Sequence, residues 1–344
     1  MATVSQSQSP ITSVSPVAAQ PTVGLQPQLL SRLHLDLRGR RFSVDRETIM
    51  NLPESVLLCL FPNGLVLSRQ SAAFTDGGEH DDDEEVYGVD FDPDCFNFVL
   101  SFFRNAQDTF YGTASQPGLY AAQQYLADQV PISDFAPSSQ NPLLTRQAII
   151  VLREELEYFA IPTGDKSAGT DTSGLPNTRL LAIKRACGQK LLEKRSIFTA
   201  LQRNVNKENN IAEQHLIDML CMSGFDRDDY WGYRALEPSR CCISSIALVL
   251  LKTGIVHPPE APLGQERGQV TVDYVQMSTA QKLLLFWRKP ARKCWWDGVD
   301  VDIANHGEPS HVVKLWARRV WTLELSLVRS AEDAPTDTDL VPQI

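Results

Sequence analysis

The sequence predicts an α+β fold in two successive domains, and three observations carry that prediction. Short runs alternate apolar and polar residues, the period of a strand, whereas longer runs repeat apolar residues at helical spacing behind capping residues. Composition changes near residues 163–177, where Gly, Ser, Thr, Asp and Pro displace the apolar periods. The charge balance changes there too. Over residues 1–161, nine Lys and Arg stand against twenty Asp and Glu, and the first lysine is Lys166. Residues 162–330 are net basic instead. An acidic first half argues against nucleic-acid binding there. Opposite signs suit docking of the two halves, or two different partners. A chain of 344 residues is long enough to bury two cores.

The elements follow in order. Residues 1–28, rich in Ser, Gln, Pro, Ala and Val without periodicity, predict a disordered arm. Order begins a first domain at 29–162. In LHLDLRGRRFSVD, Leu33, Leu35 and Leu37 alternate with polar residues, Gly39 marks a turn, and Phe42 and Val44 resume the alternation as a hairpin. NLPESVLLCLF opens a helix with Pro53 and Glu54 in its first turn and Val56, Leu57, Leu60 and Phe61 as its buried set. An acidic loop, 75–85, follows.

VYGVDFDPDCFNFVLSFFR then reads as a strand handing over to a helix. Asp92 is placed as N-cap and Pro93 at the first helical position, ahead of an apolar stripe at Phe96, Val99, Leu100 and Phe103. Asp90, Asp92 and Asp94 also resemble the start of a calcium loop. Cys95 stands where that loop needs glycine and Ser101 where it needs glutamate, so the calcium reading fails. Residues 105–144 form a polar and aromatic insertion. A closing helix is expected in TRQAIIVLREELEYFAIP, with Ile149, Leu152, Leu156 and Phe159 on one face, and 163–177 is the linker.

The second domain, 178–330, opens on a basic amphipathic helix over 179–205, followed by a helix in IAEQHLIDMLCMSGF that ends at Gly224. CCISSIALVLL, QKLLLFWRK, KCWWDGVDVDI and VVKLWARRVWTLELSLV read as strands, and 331–344 as an acidic disordered tail.

The candidate partner-binding residues fall into two groups. Glu79, Asp81, Asp82, Asp83, Glu84 and Glu85 concentrate negative charge in the acidic loop, either as a solvated segment or as a docking patch for a basic partner. Lys190, Lys194 and Arg195 lie off the apolar stripe of the basic helix, where they face the other half or a partner. Neither cofactor nor metal is expected. Seven scattered cysteines contain no CxxC pair and read as reduced, buried side chains.

Catalysis finds little support. DVDIA (Asp300–Ala304) has two aspartates of the haloacid-dehalogenase pattern DxDx[TV], but Ala304 replaces its last member. HGEPSH has Gly307 and Pro309 where a zinc-binding HExxH needs a helix. Trp295, Trp296, Trp316 and Trp321, near Arg288, Lys293 and Arg318, pose the choice between a stacking surface and a core. No apolar run approaches the ~20 residues of a membrane span. The N-terminus lacks a secretory pattern, which points to a cytoplasmic or nuclear location.

The order of elements in 30–162 resembles the BTB/POZ fold, in the tetramerisation branch shared by voltage-gated potassium channels and KCTD proteins. LHLDLRGRRFSVDRETIMNLPESVLLCLF looks like that branch's opening hairpin and first helix, and VYGVDFDPDCFNFVLSFFR its strand-then-helix signature. LREELEYFAIP is similar to its closing helix. The 105–144 insertion departs from the compact channel-type domain and argues against a ring-shaped tetramer. With its acidic loop and basic, tryptophan-rich second half, the whole chain is similar to a fungal group of BTB-containing growth and stress-response regulators, the Whi-type phosphatase activators.

That resemblance implies a non-catalytic adaptor for a plasma-membrane phosphatase of the haloacid-dehalogenase type, acting in general stress response and in growth restraint when nutrients are low. It also implies homo-oligomers through the BTB domain. The chain would be cytoplasmic, recruited to the plasma membrane by its partner, with no direct membrane insertion and no nucleic-acid partner. The alternative is a BTB substrate adaptor for a cullin-type ubiquitin ligase.

Overall fold

The structure, a computed structural model, describes residues 28–64, 68–69, 86–128, 141–161, 178–202, 211–259, 268–303 and 311–329. Its contacts divide into two units. One takes residues 1–30 and 66–83, and its described part is a pair of two-residue antiparallel strands, β1 (Gln28–Leu29) and β4 (Ser68–Arg69). The other takes 31–65 and 84–344 and holds every further element named below. Of the expected arm at 1–28, Gln28 begins β1; its remainder, the acidic loop, the linker and the tail 331–344 lie outside the described residues.

The opening hairpin forms as its alternation requires. β2 (Arg32–Leu37) pairs antiparallel with β3 (Arg40–Asp45), and Leu33, Leu35 and Leu37 are buried. The two-residue turn holds Arg38 at φ 50° and Gly39 at φ 88°, the left-handed pair that a tight hairpin needs. Two short helices follow, α1 (Arg46–Met50) and α2 (Glu54–Leu60). β5 (Val86–Val89) joins β2 in parallel, giving a three-stranded sheet in the order β3-β2-β5.

α3 (Pro93–Tyr111) begins as read. The Asp92 side chain accepts from the backbone N–H groups of Asp94 and Cys95 at 2.8 and 3.0 Å, and Phe96, Val99 and Phe103 are buried. The helix runs on to Tyr111, burying Ala106 and Phe110, so the first residues of the expected 105–144 insertion belong to it. A short hairpin of β6 (Gly112–Thr113) and β7 (Gln116–Pro117), then α4 (Leu119–Asp128) and α5 (Pro142–Thr145), make up the rest of its described part.

The expected closing helix is instead β8 (Ala148–Ala160), the central strand of a five-stranded antiparallel sheet. Its partners are β9 (Tyr233–Leu236), β10 (Cys242–Leu250), β13 (Ala291–Ile303) and β14 (His311–Leu327), in the order β13-β14-β8-β10-β9. The physical reason is that two periods coincide. Leu152 and Leu156 satisfy both a helical stripe and strand alternation, and β-branched Ile149, Ile150 and Val151 favour the strand. Pairing with β10 and β14, far along the chain, decides between them. Both sides of 163–177 therefore contribute to one sheet, and the expected division into 29–162 and 178–330 does not fall between two sheets.

Both faces of this sheet are covered along its first half. On one face, Ile150 and Leu152 pack with residues of α7 (Ile211–Ser223) and α8 (Tyr274–Trp287), while Leu156 and Tyr158 pack against α6 (Thr178–Leu192). The opposite face meets α2 and α3. There the buried Glu324 carboxylate accepts from the N–H groups of Glu54 and Ser55 at 2.7 and 2.9 Å, closing the start of α2. A two-strand ribbon, β11 (Ile255–Val256) with β12 (Thr271–Val272), precedes α8.

Two further expectations are corrected. QKLLLFWRK, expected as a strand, is the second half of α8. That helix starts at Asp273, whose carboxylate accepts from the N–H groups of Val275 and Gln276, and it buries Met277, Ala280, Leu283 and Leu284. The apolar run from Leu283 to Trp287 hides the helical period, and the cap lies well upstream of it. The basic helix ends at Leu192 rather than near 205, and Phe198 and Leu201 reach the core from the segment beyond it. The expected strands of β10, β13 and β14 form as read, as does α7, which stops one residue before Gly224.

Candidate functional site

The described candidate residues gather at the C-terminal end of α6. Cys187 and Leu191 bury the inner side of this helix against Leu156, Tyr158, Val299 and Leu315. Gly188 lets it approach β8 closely, because a Cβ there would sit 2.2 Å from the Tyr158 hydroxyl. Lys190 is thereby turned outward and pairs with Glu193 at 3.1 Å, both half-exposed. Lys194 and Arg195 are exposed just past the helix end, where cations complement the helix dipole. The Arg195 carbonyl accepts from the Trp231 N–H at 3.0 Å, which fixes this segment beside β9. Lys190, Lys194 and Arg195 are thus exposed cations on a held backbone, with Glu193 among them. Glu79, Asp81, Asp82, Asp83, Glu84 and Glu85 lie outside the described residues.

A buried ionic cluster supports this end of the helix. Glu154 of β8 accepts from the Arg234 guanidinium at 2.5 Å, from Arg319, and from the Trp321 indole N–H at 3.2 Å. Arg234 also donates to the Ser245 hydroxyl at 2.5 Å and to the Leu191 carbonyl at 3.4 Å, so the cluster anchors a carbonyl of the last turn of α6. Burial opposes ionisation of Glu154, yet the Arg319 and Arg234 charges and the Arg234 and Trp321 hydrogen bonds outweigh it. They hold the carboxyl below its ordinary value. The sequence reading missed this cluster because a helix over 145–162 gives Glu154 no inward direction. On a strand, Glu154 shares a face with Leu152 and Leu156, and that was the available signal.

The three aspartates at the start of α3 are all engaged within the protein. Asp92 caps the helix, Arg38 donates to Asp90 at 2.7 Å, and Arg40 donates to Asp94 at 2.8 Å. The Arg38 hydrogen bond, with its charge, lowers the Asp90 pKa. Among the described residues, no group of three His, Cys, Asp or Glu side chains is placed to hold a metal ion.

The remaining chemical motifs divide between outer surface and core. Asp300 and Asp302 lie on exposed positions of β13, within a regular antiparallel pair, and Asp300 stands opposite Lys314. Residues 304–310, most of HGEPSH, lie outside the described residues. The tryptophans split by strand alternation. Trp321 is buried against Trp231 and Trp295, while Trp296 and Trp316 are exposed beside Phe159. A cavity of about 700 Å³ between α4 and the segment around His257 holds no group tied to the cationic site. No described helix is long and apolar enough to cross a membrane.

Comparison with known proteins places these features in a lineage. No protein-family model matches the chain. A WHI2-like protein of Schizosaccharomyces pombe is 33% identical over 293 residues, covering 85% of this chain and 86% of the relative. The chain belongs to the WHI2-like family. Within that family, the growth regulation protein of Saccharomyces cerevisiae is 26% identical over 447 aligned positions, covering 87% of this chain and 91% of the relative. An uncharacterised S. pombe protein is 19% identical over 303 residues, covering 88% and 89%. The similarity to the WHI2-like relative spans both the hairpin half and the half that carries α6.

Proposed function

We propose that this chain is a non-catalytic regulator of fungal growth and stress response. It serves as a scaffold that binds and activates a plasma-membrane phosphatase of the haloacid-dehalogenase type. The observation that carries the regulatory part is near full-length similarity to a protein named for growth regulation, on a chain whose best-formed charged cluster is a locked structural one. The cations Lys190, Lys194 and Arg195 and the carboxylates in the sequence Glu79–Glu85 are the residues of opposite sign proposed to meet such a partner.

The BTB/POZ reading belongs to the same proposal. The hairpin β2–β3, the parallel strand β5 and the capped α3 agree with the first two blocks of that resemblance. The third block, LREELEYFAIP, is a strand here and does not support it. A BTB-like segment is also what favours the second reading, a substrate adaptor for a cullin-type ubiquitin ligase.

Affinity capture of the full chain from fungal cells separates the two. Enrichment of a haloacid-dehalogenase-type phosphatase, whose activity rises when the purified chain is added, supports the first. Enrichment of a cullin with no phosphatase replaces it with the second. Deleting Glu79–Glu85 is expected to weaken phosphatase binding in a salt-dependent way and leave the melting temperature nearly unchanged. Unaltered affinity removes the segment from the binding surface.

A further inference from the structure

We propose that the outer face of α8 is a docking surface for an anionic lipid leaflet. Its inner face is fully used, since Met277, Ala280, Leu283 and Leu284 are buried in the core. The opposite face leaves Tyr274 80%, Val275 80%, Leu285 80% and Phe286 73% exposed. Large apolar side chains at that exposure, paired at both ends of one helix, exceed the scattered singles of an ordinary surface.

The charges on this face point to the occupant. The cations of α8 and the turn after it are Lys282, Arg288 and Lys289; the carboxylates beside them are the N-cap Asp273 and Glu54, which pairs with Lys289, and Lys282 and Arg288 are exposed, in a chain whose net charge is −10. Helical spacing puts Lys282, Leu285 and Phe286 at i, i+3 and i+4, so a cation adjoins the apolar pair along one stripe, and exposed Arg288 follows at the helix end. A leaflet offers that chemistry in layers, with phosphate and carboxylate headgroups over acyl chains. Lys and Arg side chains reach the headgroups while Leu285 and Phe286 enter the boundary below, with the helix lying in the plane of the surface.

A protein partner is less suited. It would need a pocket for each exposed apolar side chain and carboxylates set among them in register. A leaflet supplies both everywhere, and a convex helix face needs nothing more. This contact adds direct lipid binding to a membrane location that the sequence reading assigned to the partner alone.

The test is co-sedimentation of the full chain with vesicles of phosphatidylserine in phosphatidylcholine, and with phosphatidylcholine vesicles alone. The wild-type chain is expected to sediment with the anionic vesicles and not with the neutral ones. Leu285→Ser with Phe286→Ser, and separately Lys282→Glu with Arg288→Glu, should each cut partitioning about tenfold or more. Lys289 is left in place because it pairs with Glu54 at 3.0 Å. All four altered side chains are exposed, so melting temperatures should match the wild type, which keeps lost binding distinct from lost folding. Failure of the wild-type chain to sediment with anionic vesicles overturns the proposal, as does equal sedimentation of wild type and both variants. Loss of a captured protein by these variants, with no vesicle binding by the wild type, assigns the face to a protein instead.

Discussion

Glu154 of the central strand β8 and Arg234 of the edge strand β9 form an ion pair at 2.5 Å with side chains only 1% and 2% exposed. Removing water from two charges is costly, and a buried pair persists where further hydrogen bonds satisfy it. Arg319, Trp321 and Ser245 provide several of them here, while the Nε atoms of Arg234 and Arg319 are buried without a hydrogen-bond partner. Glu154→Gln keeps the shape but leaves two guanidinium groups without their buried counter-charge. It is expected to cost ~3–5 kcal/mol of stability, the usual result of breaking a buried pair. Urea unfolding measures it, and a loss below about 1 kcal/mol, the range of exposed pairs, would mean that the cluster is solvated.

The same carboxyl sets an acid limit. Its folded pKa is depressed, whereas the unfolded chain titrates near the ordinary ~4.3 of glutamate. Its contribution is therefore fully present above the unfolded value and lost as pH falls through the folded one. Wild-type stability should drop more steeply below about pH 4.3 than that of Glu154→Gln, whose acid limb should be flatter. Parallel acid limbs for the two proteins count against this assignment.

For α3, the expected costs differ by mechanism. Phe103→Ala empties part of a core and should cost ~3–5 kcal/mol. Asp92→Ala removes the carboxylate that holds the N–H groups of Asp94 and Cys95, and should cost about 1 kcal/mol. Equal, negligible losses in denaturant titrations of both variants would contradict the capped, buried helix.

These differences follow what the sequence made legible. α3 could be read because its cap, its proline and its stripe all lie within a dozen residues of one another. β8 could not, since its residues fit both periods and its identity rests on partners such as Leu250 and Leu327, roughly a hundred or more positions away. Separations of 52 to 199 positions likewise hid the pairing of Arg38 with Asp90 and Glu237, and the Glu154 cluster. At the candidate site, Lys190 was legible as a residue off the stripe. Its presentation beside Lys194 and Arg195 was not, because the helix ends at Leu192 and the following turn is held by Trp231. Exposure of Leu285 and Phe286 was hidden because an unbroken apolar run does not say which side faces water.

Gly188 tests how closely α6 lies on β8. A methyl group there meets the Tyr158 hydroxyl at 2.2 Å and a Leu236 methyl at 2.9 Å, so Gly188→Ala must push the helix or the ring aside. The expected cost is ~1–3 kcal/mol, as for overpacked cores, despite the better helix propensity of alanine. A stabilised Gly188→Ala protein in thermal melting would show that the helix stands further from the strand.

The end of α6 separates folding from binding within a few residues. Leu191 is 1% exposed and packs among Leu156, Cys187 and Leu315, so Leu191→Asp buries an unpaired charge. That substitution should abolish the cooperative unfolding transition. Lys190, Lys194 and Arg195 are exposed, and the described ion pair among them, Lys190 with Glu193, is a half-exposed one of the kind worth ~0–1 kcal/mol. Reversing all three to Glu should therefore shift the melting temperature little, while adding like charge at a helix C-terminus that favours cations. If the cationic site receives the phosphatase, the triple reversal should weaken its capture with a steep salt dependence, and Glu54→Gln, on α2 and paired with Lys289, should not. Unchanged capture by a folded triple variant would remove these three residues from the partner surface and leave the binding to another face of the chain.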